Sequence, residues 1–529
     1  MLVETRALVR GRTGWQVADP KAIERVPATL RLVVAARLDR LSSAAKATLQ
    51  DASVAGSVTW DALLEAMASD GRGRPPGSVG DSLAELEDRD ILRRRSGSRI
   101  PGAVEFGFKH DVIRDVAYES LPRADRALRH RRIADWLQGR VGEVAVAAIA
   151  HQYEQAWELG RLSSREGPDH DAARLASRSL RRWGDAVFAL QPRLAEALYA
   201  RGLAIATIDP LAANGDELAW LLIGRAEGLG ELGRHREAIE AAEHGLDLVS
   251  TTEQTDTLGF ALLALGRARS NLGAVAVART LIERALVVFE ASGSRVGAAR
   301  AHHRLAEAQR FDDFAGELQS YRRAYALYGR DRPERELVAV DLAYLLTVAG
   351  GREARDWLAR ATRLVARSGD ERGVASLRRA AAYAAWYRGD LDAALGAALE
   401  ARPSAAETGD RWVEVDSLLI EALVRTSADR PAEAEPGITD LLRIADSAGA
   451  RHLRALVLAA GARSAIRAGR PRQAMRRLAT ARRILIELGV TMELAEIDLT
   501  TAAVQLDRGD WDRVLVAATA GEARAAANG

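Results

Sequence analysis

The chain has 529 residues, of which 48% are hydrophobic and 28% charged, and its formal net charge is +2. This length leaves room for two or more domains, and the near-neutral charge argues against a dedicated nucleic-acid binder. The absence of cysteine excludes a disulfide framework and a thiolate metal site. Aromatic residues make up only 5% of the chain, while alanine, leucine and arginine dominate, which favours closely packed helices. We therefore expect a mostly all-α protein.

The first predicted elements are four helices between residues 27 and 92. The segment VPATLRLVVAARLDRLSSAAKATLQDASVAG reads as two helices with a Ser-Ser cap between them. The segments VTWDALLEAM and SVGDSLAELEDRDIL carry apolar residues at helical spacing and predict two more. These helices open a small module that we assign to residues 27–140.

A β-hairpin is predicted to follow these helices. ILRRR and VEFGFK bracket SGSRIPGA, whose glycine, proline and serine residues favour a turn. A helix bundle followed by one hairpin is the layout of a winged helix. The hairpin carries four arginines, named here the wing arginines: Arg93, Arg94, Arg95 and Arg99. Such a group can track the phosphate backbone of DNA, and the alternative is a solvated wing or a patch between domains.

The second strand of this hairpin ends at a helix N-terminus. Apolar residues alternate from Val104 to Phe108, and a helical period begins after Asp111. Lys109 and His110 therefore lie at the junction of strand and helix. The partial positive charge of a helix N-terminus beside a lysine favours an anion. The alternative is that His110 only caps or packs this corner.

From residue 145 to residue 529 the sequence repeats. Two sets of turn residues each recur every 40 positions: Gly369, Gly409, Gly449 and Gly489, and then Gly389, Asp429, Gly469 and Gly509. Two turns in every 40 residues predict two helices per repeat. We therefore expect residues 145–529 to form an α-solenoid of stacked helical hairpins.

Small residues recur on one face of these predicted helices. Five positions after the turn within a hairpin, the sequence places Ala238, Ala278, Ala394, Ala434 and Ala474. Small side chains there let a neighbouring helix approach closely. The pattern Gly-x4-Ala-x6-Ala resembles the tetratricopeptide repeat, whose usual period is about 34 residues, and HEAT-type hairpins with a period of about 40 are the alternative.

The sequence contains no pattern typical of catalysis. It has no G-x-x-x-x-G-K-[ST] loop that could hold ATP phosphates, and its lysines are Lys21, Lys46 and Lys109. His302 and His303 are adjacent and so point to different faces of a helix, and no H-E-x-x-H pattern occurs. We therefore expect no enzyme activity, no catalytic residue, no metal and no cofactor bound by this chain itself.

Three segments of the module resemble a known family. VPATLRLVVAARLDRLSSAAKATLQDASVAG, LAELEDRDILRRR and EFGFKHDVIRDVAYESLPRADRALRHRRIADWL resemble the winged-helix segment of the STAND class of signalling P-loop ATPases. Similar proteins are large bacterial regulators with an AAA-type ATPase domain, this winged helix and tetratricopeptide-like repeats. Some carry an adenylate-cyclase domain in front, and others a LuxR-type DNA-binding domain behind.

The resemblance implies that the chain is the C-terminal portion of such a regulator, with the ATPase core absent. Residues 1–26 then look like the remnant of the helical segment after that core. In the STAND class, a His-Asp pair at the start of this helix touches the phosphates of ADP, and it falls here on His110 and Asp111, beside Lys109. ATP or ADP would reach this corner only through a missing ATPase domain or one supplied by a partner.

The resulting hypothesis is a non-catalytic regulatory scaffold of signal transduction. Its solenoid groove would bind a protein or peptide, and its winged helix would dock an ATPase domain. The first alternative is a DNA-binding transcriptional regulator that uses the wing arginines. The second is a fragment of an ATP-binding regulator or adenylate cyclase. Since no long apolar run or secretory segment occurs in the sequence, we expect a cytoplasmic protein with no membrane partner.

Overall fold

The computed structural model describes residues 8–11, 14–17, 28–69, 78–140, 145–163, 169–188, 191–249, 255–310, 313–330, 332–349, 351–490, 492–507 and 509–528. The chain forms two compact units. Unit 1 comprises Met1–Leu180 with Ile208–Ala212, and unit 2 comprises Arg181–Thr207 with Ala213–Gly529. The domain boundary that the sequence places between residues 140 and 145 stays a prediction.

The first described elements are two strands, β1 (Leu8–Gly11) and β2 (Gly14–Val17), which pair antiparallel with Gly11 opposite Gly14. The expectation of a helical remnant over residues 1–26 is wrong for these residues. Glycine at the two facing ends weakens a helix and favours a turn, and the valines of both strands favour extended backbone. The rest of that segment lies outside the described residues.

Seven helices of unit 1 follow the first strand pair: α1 (Ala28–Leu38), α2 (Ser43–Ala55), α3 (Asp61–Ser69), α4 (Ser78–Asp88), α5 (Asp111–Glu119), α6 (Arg123–Gln138) and α7 (Val146–Ser163). The predicted serine cap is confirmed, because the Ser42 hydroxyl accepts a hydrogen bond from the Ala45 amide at 3.1 Å. This bond satisfies one of the amides that a helix N-terminus leaves unpaired.

A three-stranded antiparallel sheet lies among these helices, in the order β3–β5–β4, with β3 at Val58–Trp60, β4 at Leu92–Arg94 and β5 at Glu105–Phe108. The predicted hairpin is confirmed as β4 and β5. The expectation of one hairpin and no further strand is wrong, because VTWDALLEAM begins with β3 and becomes helical only at Asp61. Its β-branched and aromatic residues pair with β5 and are buried.

His130 of α6 is a core residue of unit 1. Its helix face also carries Ile133 and Leu137, a pattern that predicts a packed histidine. In the structure His130 is 3% exposed. Nδ1 lies 2.5 Å from the Gln152 side-chain oxygen, and Nε2 lies 2.9 Å from the Tyr118 hydroxyl. Burial lowers the pKa of His130 to about 4. The imidazole is therefore neutral at neutral pH.

The described residues from 145 onward contain helices and no strand. After α7 they form α8 (His170–Val187), α9 (Pro192–Ile208), α10 (Gly215–Glu231), α11 (His235–Asp247), α12 (Asp256–Asn271), α13 (Val275–Ser292), α14 (Arg295–Gln309), α15 (Phe314–Leu327), α16 (Pro333–Val348), α17 (Ala354–Ser368), α18 (Glu371–Tyr387), α19 (Leu391–Thr408), α20 (Arg411–Ser427), α21 (Pro431–Ala448), α22 (Arg451–Arg467), α23 (Pro471–Leu488), α24 (Met492–Asp507) and α25 (Trp511–Asn528). From α10 onward, consecutive helices pair as hairpins, and the hairpins stack as a solenoid within unit 2.

Left-handed turn residues separate many of these helices. Gly369, Gly409, Gly449 and Gly489 end α17, α19, α21 and α23 with φ between 64° and 77°. Asp429 takes the same backbone conformation between α20 and α21, with φ of 60°. Glycine has no Cβ to clash there, and aspartate tolerates this conformation better than most residues. The spacing of turn residues in the sequence thus locates the helix ends.

The small residues of the sequence pattern lie in the helix interfaces. Ala238, Ala278, Ala394, Ala434 and Ala474 are each no more than 1% exposed. Ala474 belongs to a cluster with Leu478 of its own helix and with Leu458 and Val504 of the neighbouring helices. The predicted burial of these alanines is confirmed, and it explains how adjacent hairpins approach closely.

Candidate binding cavity

A cavity of 610 Å³ lies inside unit 2. Seven alternate helices, from α10 to α22, supply most of its lining, and α11, α13, α21 and adjacent turns supply the rest. The solenoid winds so that turns distant in sequence meet. A methyl group added at Gly273 would lie 2.7 Å from Leu488, and one added at Gly409 would lie 3.3 Å from Arg193. These close approaches bring early and late hairpins of unit 2 together beside the cavity.

Glu231 on α10 is the centre of a buried ion network in this lining. Its carboxylate accepts from Arg267 at 2.6 Å and from Arg372 at 2.6 Å, and Arg304 lies 3.8 Å away. Arg372 also donates to Asp410 at 2.7 Å. Burial alone would raise the pKa of Glu231, but the three arginines outweigh it and lower the pKa to about 2. This carboxylate therefore carries a fixed charge at neutral pH.

Asp341 on α16 holds a second group of charges together. Its oxygens lie 3.2 Å from Nε2 of His303 and 3.4 Å from a guanidinium nitrogen of Arg379. Arg379 also pairs with Asp416 at 3.2 Å, and its Nε atom is buried without a hydrogen-bond partner among the described residues. Burial would raise the pKa of Asp341, but His303 and Arg379 lower it. The pairs connect helices of consecutive hairpins.

Arg310, the residue that caps the end of α14, forms a third group. Its Nε atom lies 3.4 Å from Glu317, and its terminal nitrogen donates to the Tyr321 hydroxyl at 3.0 Å. The ring of Trp412 lies 6.0 Å from the guanidinium carbon. Arg310 and Trp412 both line the cavity, so a cation and an aromatic ring face the same space.

The lining as a whole is strongly polar. It contains nine arginines and seven acidic residues, an excess of two positive charges if the histidines are neutral. Most of these groups are held by opposite charges on rigid helices, so their donors and acceptors are fixed before any ligand arrives. Such a surface can bind a polar or charged segment through several hydrogen bonds at once.

The sequence did not single out these residues. The sequence nevertheless contains a periodic signal for them, because several of the ion pairs join residues 37 or 38 positions apart, which is close to the length of one hairpin repeat. Arginines at Arg300 and Arg304, and again at Arg372 and Arg379, also recur on one helix face. Recognising the pattern requires knowing which helix of each hairpin faces inward.

The predicted nucleotide-sensing corner lies in unit 1, not in the cavity. His110 is the exposed N-cap residue of α5, and its side chain makes no capping hydrogen bond. Lys109 forms an ion pair with Asp90, which reduces the positive charge available for an anion. Asp111 is exposed and begins α5. The structure brings the three residues together at a strand–helix junction, and their role as a nucleotide sensor stays a prediction.

The wing arginines each have a carboxylate within 4 Å. Arg93 lies 3.1 Å from Asp90, and Arg94 lies 3.7 Å from Glu87. Arg95 and Arg99 lie 3.6 Å and 3.8 Å from Glu105, a residue that is itself buried. Lys109 and the four wing arginines thus share three carboxylates, Asp90, Glu87 and Glu105, which reduce the positive charge of this surface without cancelling it.

The described residues contain neither a metal centre nor a membrane-spanning helix. No group of three or more histidine, aspartate or glutamate side chains in this part of the chain is arranged to hold a metal ion. Within the same residues, no helix combines the length and the apolar character needed to cross a membrane.

No protein-family model and no curated protein sequence matches the chain. Among solved structures it is similar to a signal transduction ATPase with numerous domains (STAND) protein with a tetratricopeptide repeat sensor from Pyrococcus horikoshii, at 12% identity and a TM-score of 0.46, over 85% of this chain and 64% of that one. It is also similar to a Rap protein complexed with competence and sporulation factor, at 13% identity and a TM-score of 0.46, over 79% and 99%. A third similar structure is aspartyl phosphate phosphatase F from Bacillus subtilis, at 12% identity and a TM-score of 0.39, over 66% and 92%. The chain thus spans less than two thirds of the STAND protein.

Proposed function

We propose that this chain is a non-catalytic regulatory scaffold whose unit 2 binds a peptide or protein segment inside its solenoid. The observation that carries the proposal is the 610 Å³ cavity, whose lining comes mostly from seven alternate helices and contains nine arginines and seven acidic residues. Its volume falls in the range of about 300–1,000 Å³ that is typical of ligand sites. On the spacing of turns and small residues, we assign the hairpins to tetratricopeptide-like repeats of 40 residues.

The chemistry of the lining suits a peptide. An extended peptide presents amide donors and carbonyl acceptors along its whole length, and a wall of paired charges offers partners for both. Glu231 and Asp341 hold their arginines in place through buried contacts, so little side-chain ordering is needed when a ligand enters. The same pairing keeps these carboxylates charged, which suits recognition better than proton transfer.

A selection from a displayed peptide library tests this function. Ser447 and Thr439 both lie on α21, are exposed, and donate hydrogen bonds to carbonyls of their own helix at 2.9 Å. Ser447 lines the cavity, and Thr439 is not among its lining residues. Peptides enriched on the wild-type chain should lose binding to Ser447→Trp and keep it with Thr439→Trp. Failure to enrich any peptide, or equal binding by both variants, would contradict the proposal.

The non-catalytic part of the proposal has its own test. The sequence has no Walker loop, and we therefore expect the purified chain to show no micromolar affinity for ATP. Equilibrium dialysis with labelled ATP measures this directly. Micromolar binding by the chain alone would overturn the non-catalytic assignment.

We further propose that the helix–hairpin module of unit 1 is a winged helix that docks an ATPase domain supplied elsewhere. The exposure of His110 beside the N-terminus of α5 supports the docking of an ATPase domain. The imidazole and the amides of the helix N-terminus can both donate hydrogen bonds to a diphosphate. With an ATPase domain added, ADP should raise the melting temperature of the wild-type chain more than that of His110→Ala. An equal ADP-induced shift in both proteins would make His110 a structural corner only.

A further inference from the structure

Among the arginines of the cavity lining that are not exposed, Arg310 has the most distant counter-ion. Its side chain is 26% exposed and lines the cavity. Its single carboxylate contact among the ion pairs of the described residues is Glu317, at 3.4 Å through Nε. Its second polar contact, the Tyr321 hydroxyl, is neutral. By contrast, Arg304 pairs with Glu307 at 2.8 Å and has Glu227 and Glu231 within 3.8 Å.

Glu317 is poorly placed to neutralise Arg310. It is 1% exposed, and its Oε2 atom has no hydrogen-bond partner among the described residues. The charged or titratable groups around Glu317 and Tyr321 are His303, Glu307 and Arg310 from α14 and its cap, Asp341 from α16 and Glu493 from α24. Burial, opposed by Arg310, raises the pKa of Glu317 to about 7. Near neutral pH Glu317, the carboxylate in contact with Arg310, is therefore only partly ionised, while Asp341 and Glu307 act on Arg310 from farther away.

We propose that the segment bound in the cavity of unit 2 carries a carboxylate, from an acidic side chain or a C-terminus, which docks on Arg310 beside Trp412. This inference rests on the proposed function and names the chemistry of the ligand. A planar guanidinium can hold a carboxylate through two parallel hydrogen bonds, and the adjacent indole ring covers one side of the site.

The geometry couples the binding of a ligand carboxylate at Arg310 to the protonation of Glu317. A ligand carboxylate on Arg310 would lie close to Glu317, so the bound state favours the protonated, neutral form of Glu317. Below pH 7 that form is already populated, and above pH 7 the ligand must compete with an ionised glutamate. The affinity should therefore rise as the pH falls from 8 to 6. If one proton is taken up on binding, linkage predicts a change of about tenfold over this range.

Isothermal titration calorimetry at pH 6 and pH 8 tests the inference, with acetylated hexaglutamate as the probe. The peptide stays ionised at both values, because its side chains titrate near a pKa of about 4.3. The comparison ligands are glutarate and two peptides without any carboxylate, hexaglutamine and hexalysine with amidated C-termini. We expect hexaglutamate to bind at least tenfold more tightly than the other three, and about tenfold more tightly at pH 6 than at pH 8.

Two variants and one control locate the effect. Arg310→Gln should reduce hexaglutamate binding at least tenfold, whereas Arg322→Gln, on α15 and outside the cavity lining, should leave it unchanged. Glu317→Gln removes the titrating group but keeps its shape, so this variant should bind at both pH values as the wild type does at pH 6. Because Glu317→Gln is expected to gain affinity at pH 8, the inference stays testable even if Arg310→Gln does not fold.

Several results would overturn the inference and leave the proposed function standing. These are equal affinity at pH 6 and pH 8, unchanged binding by Arg310→Gln, and equal binding of hexaglutamine or hexalysine. Glutarate binding as tightly as hexaglutamate would assign the site to a free dicarboxylate and would also overturn it. If the peptide library itself yields no binder, the proposed function fails instead.

Discussion

Replacing Glu231 by glutamine should destabilise unit 2 severely. The Glu231 carboxylate is 3% exposed, and Arg267 and Arg372 both contact it at 2.6 Å. Removing its charge leaves these guanidinium groups buried with a partner that is neutral. Breaking a buried ion pair on one side typically costs about 3–5 kcal/mol.

The pKa of Glu231 points in the same direction. Arg267, Arg372 and Arg304 lower this pKa from 4.5 to about 2 in the folded chain, so the ionised carboxylate stabilises unit 2 at neutral pH. Because the folded pKa is the lower one, this contribution is present above pH 4.5 and is lost as the pH falls toward 2.

Hydrogen exchange followed by mass spectrometry measures the effect within unit 2, where a single unfolding transition cannot be assumed. A loss of about 3–5 kcal/mol should speed exchange in α10 and α18 by roughly two to four orders of magnitude. Glu243→Gln is the control, since Glu243 pairs with Arg269 at 2.5 Å with both side chains well exposed, and it should cost at most about 1 kcal/mol.

The double variant Glu231→Gln/Arg372→Met sharpens the test. If uncompensated positive charge causes the loss, removing one of the arginines should recover part of the protection. Equal effects of Glu231→Gln and Glu243→Gln would refute the reasoning. So would a double variant that is less stable than the sum of the two single variants.

Three further outcomes are expected. Ala474→Leu should overpack the hairpin interface and destabilise unit 2 by about 1–3 kcal/mol, whereas Ala432→Leu at an exposed site should change the midpoint of urea unfolding little. The wild type should lose about 3 kcal/mol of stability between pH 6.5 and pH 4, because His130 binds a proton in this window only in the unfolded chain. His130→Gln should remove this loss, and the same dependence of the unfolding free energy on pH in both proteins would disprove the prediction. Replacing all four wing arginines by serine should leave gel shifts of duplex DNA unchanged at physiological salt, since each arginine has a carboxylate nearby. If the wild type binds DNA and the replacement abolishes this binding, the DNA-binding alternative is supported instead.

Local structure could be predicted from the sequence wherever one residue type determines the backbone conformation or the distance between helices. The glycines at 369, 409, 449 and 489 mark helix ends because few other residues take a left-handed conformation. The recurring alanines mark helix contacts because only small side chains allow them. Both signals act within one hairpin or between neighbours, so a single sequence is enough to read them.

Long-range pairing was not readable in the same way. β3 was predicted as part of a helix because the apolar residues of VTWDALLEAM fit a helical period, and only β5, more than forty residues later, makes Val58–Trp60 extended. The candidate cavity depends even more on distant contacts, such as the pair between Glu231 and Arg372. The sequence pointed instead to Lys109 and His110, whose setting at a helix N-terminus is local.

The contact between Gly273 and Leu488 affects how unit 2 should unfold. In an open solenoid each repeat touches only its neighbours, so stability adds up along the array and segments can unfold one at a time. Here the seam between distant turns, together with the Glu231–Arg372 pair, ties early hairpins to late ones. Unit 2 should therefore unfold more like a closed ring, with fraying at α23 felt at α12 and with slower folding than an open array of the same length.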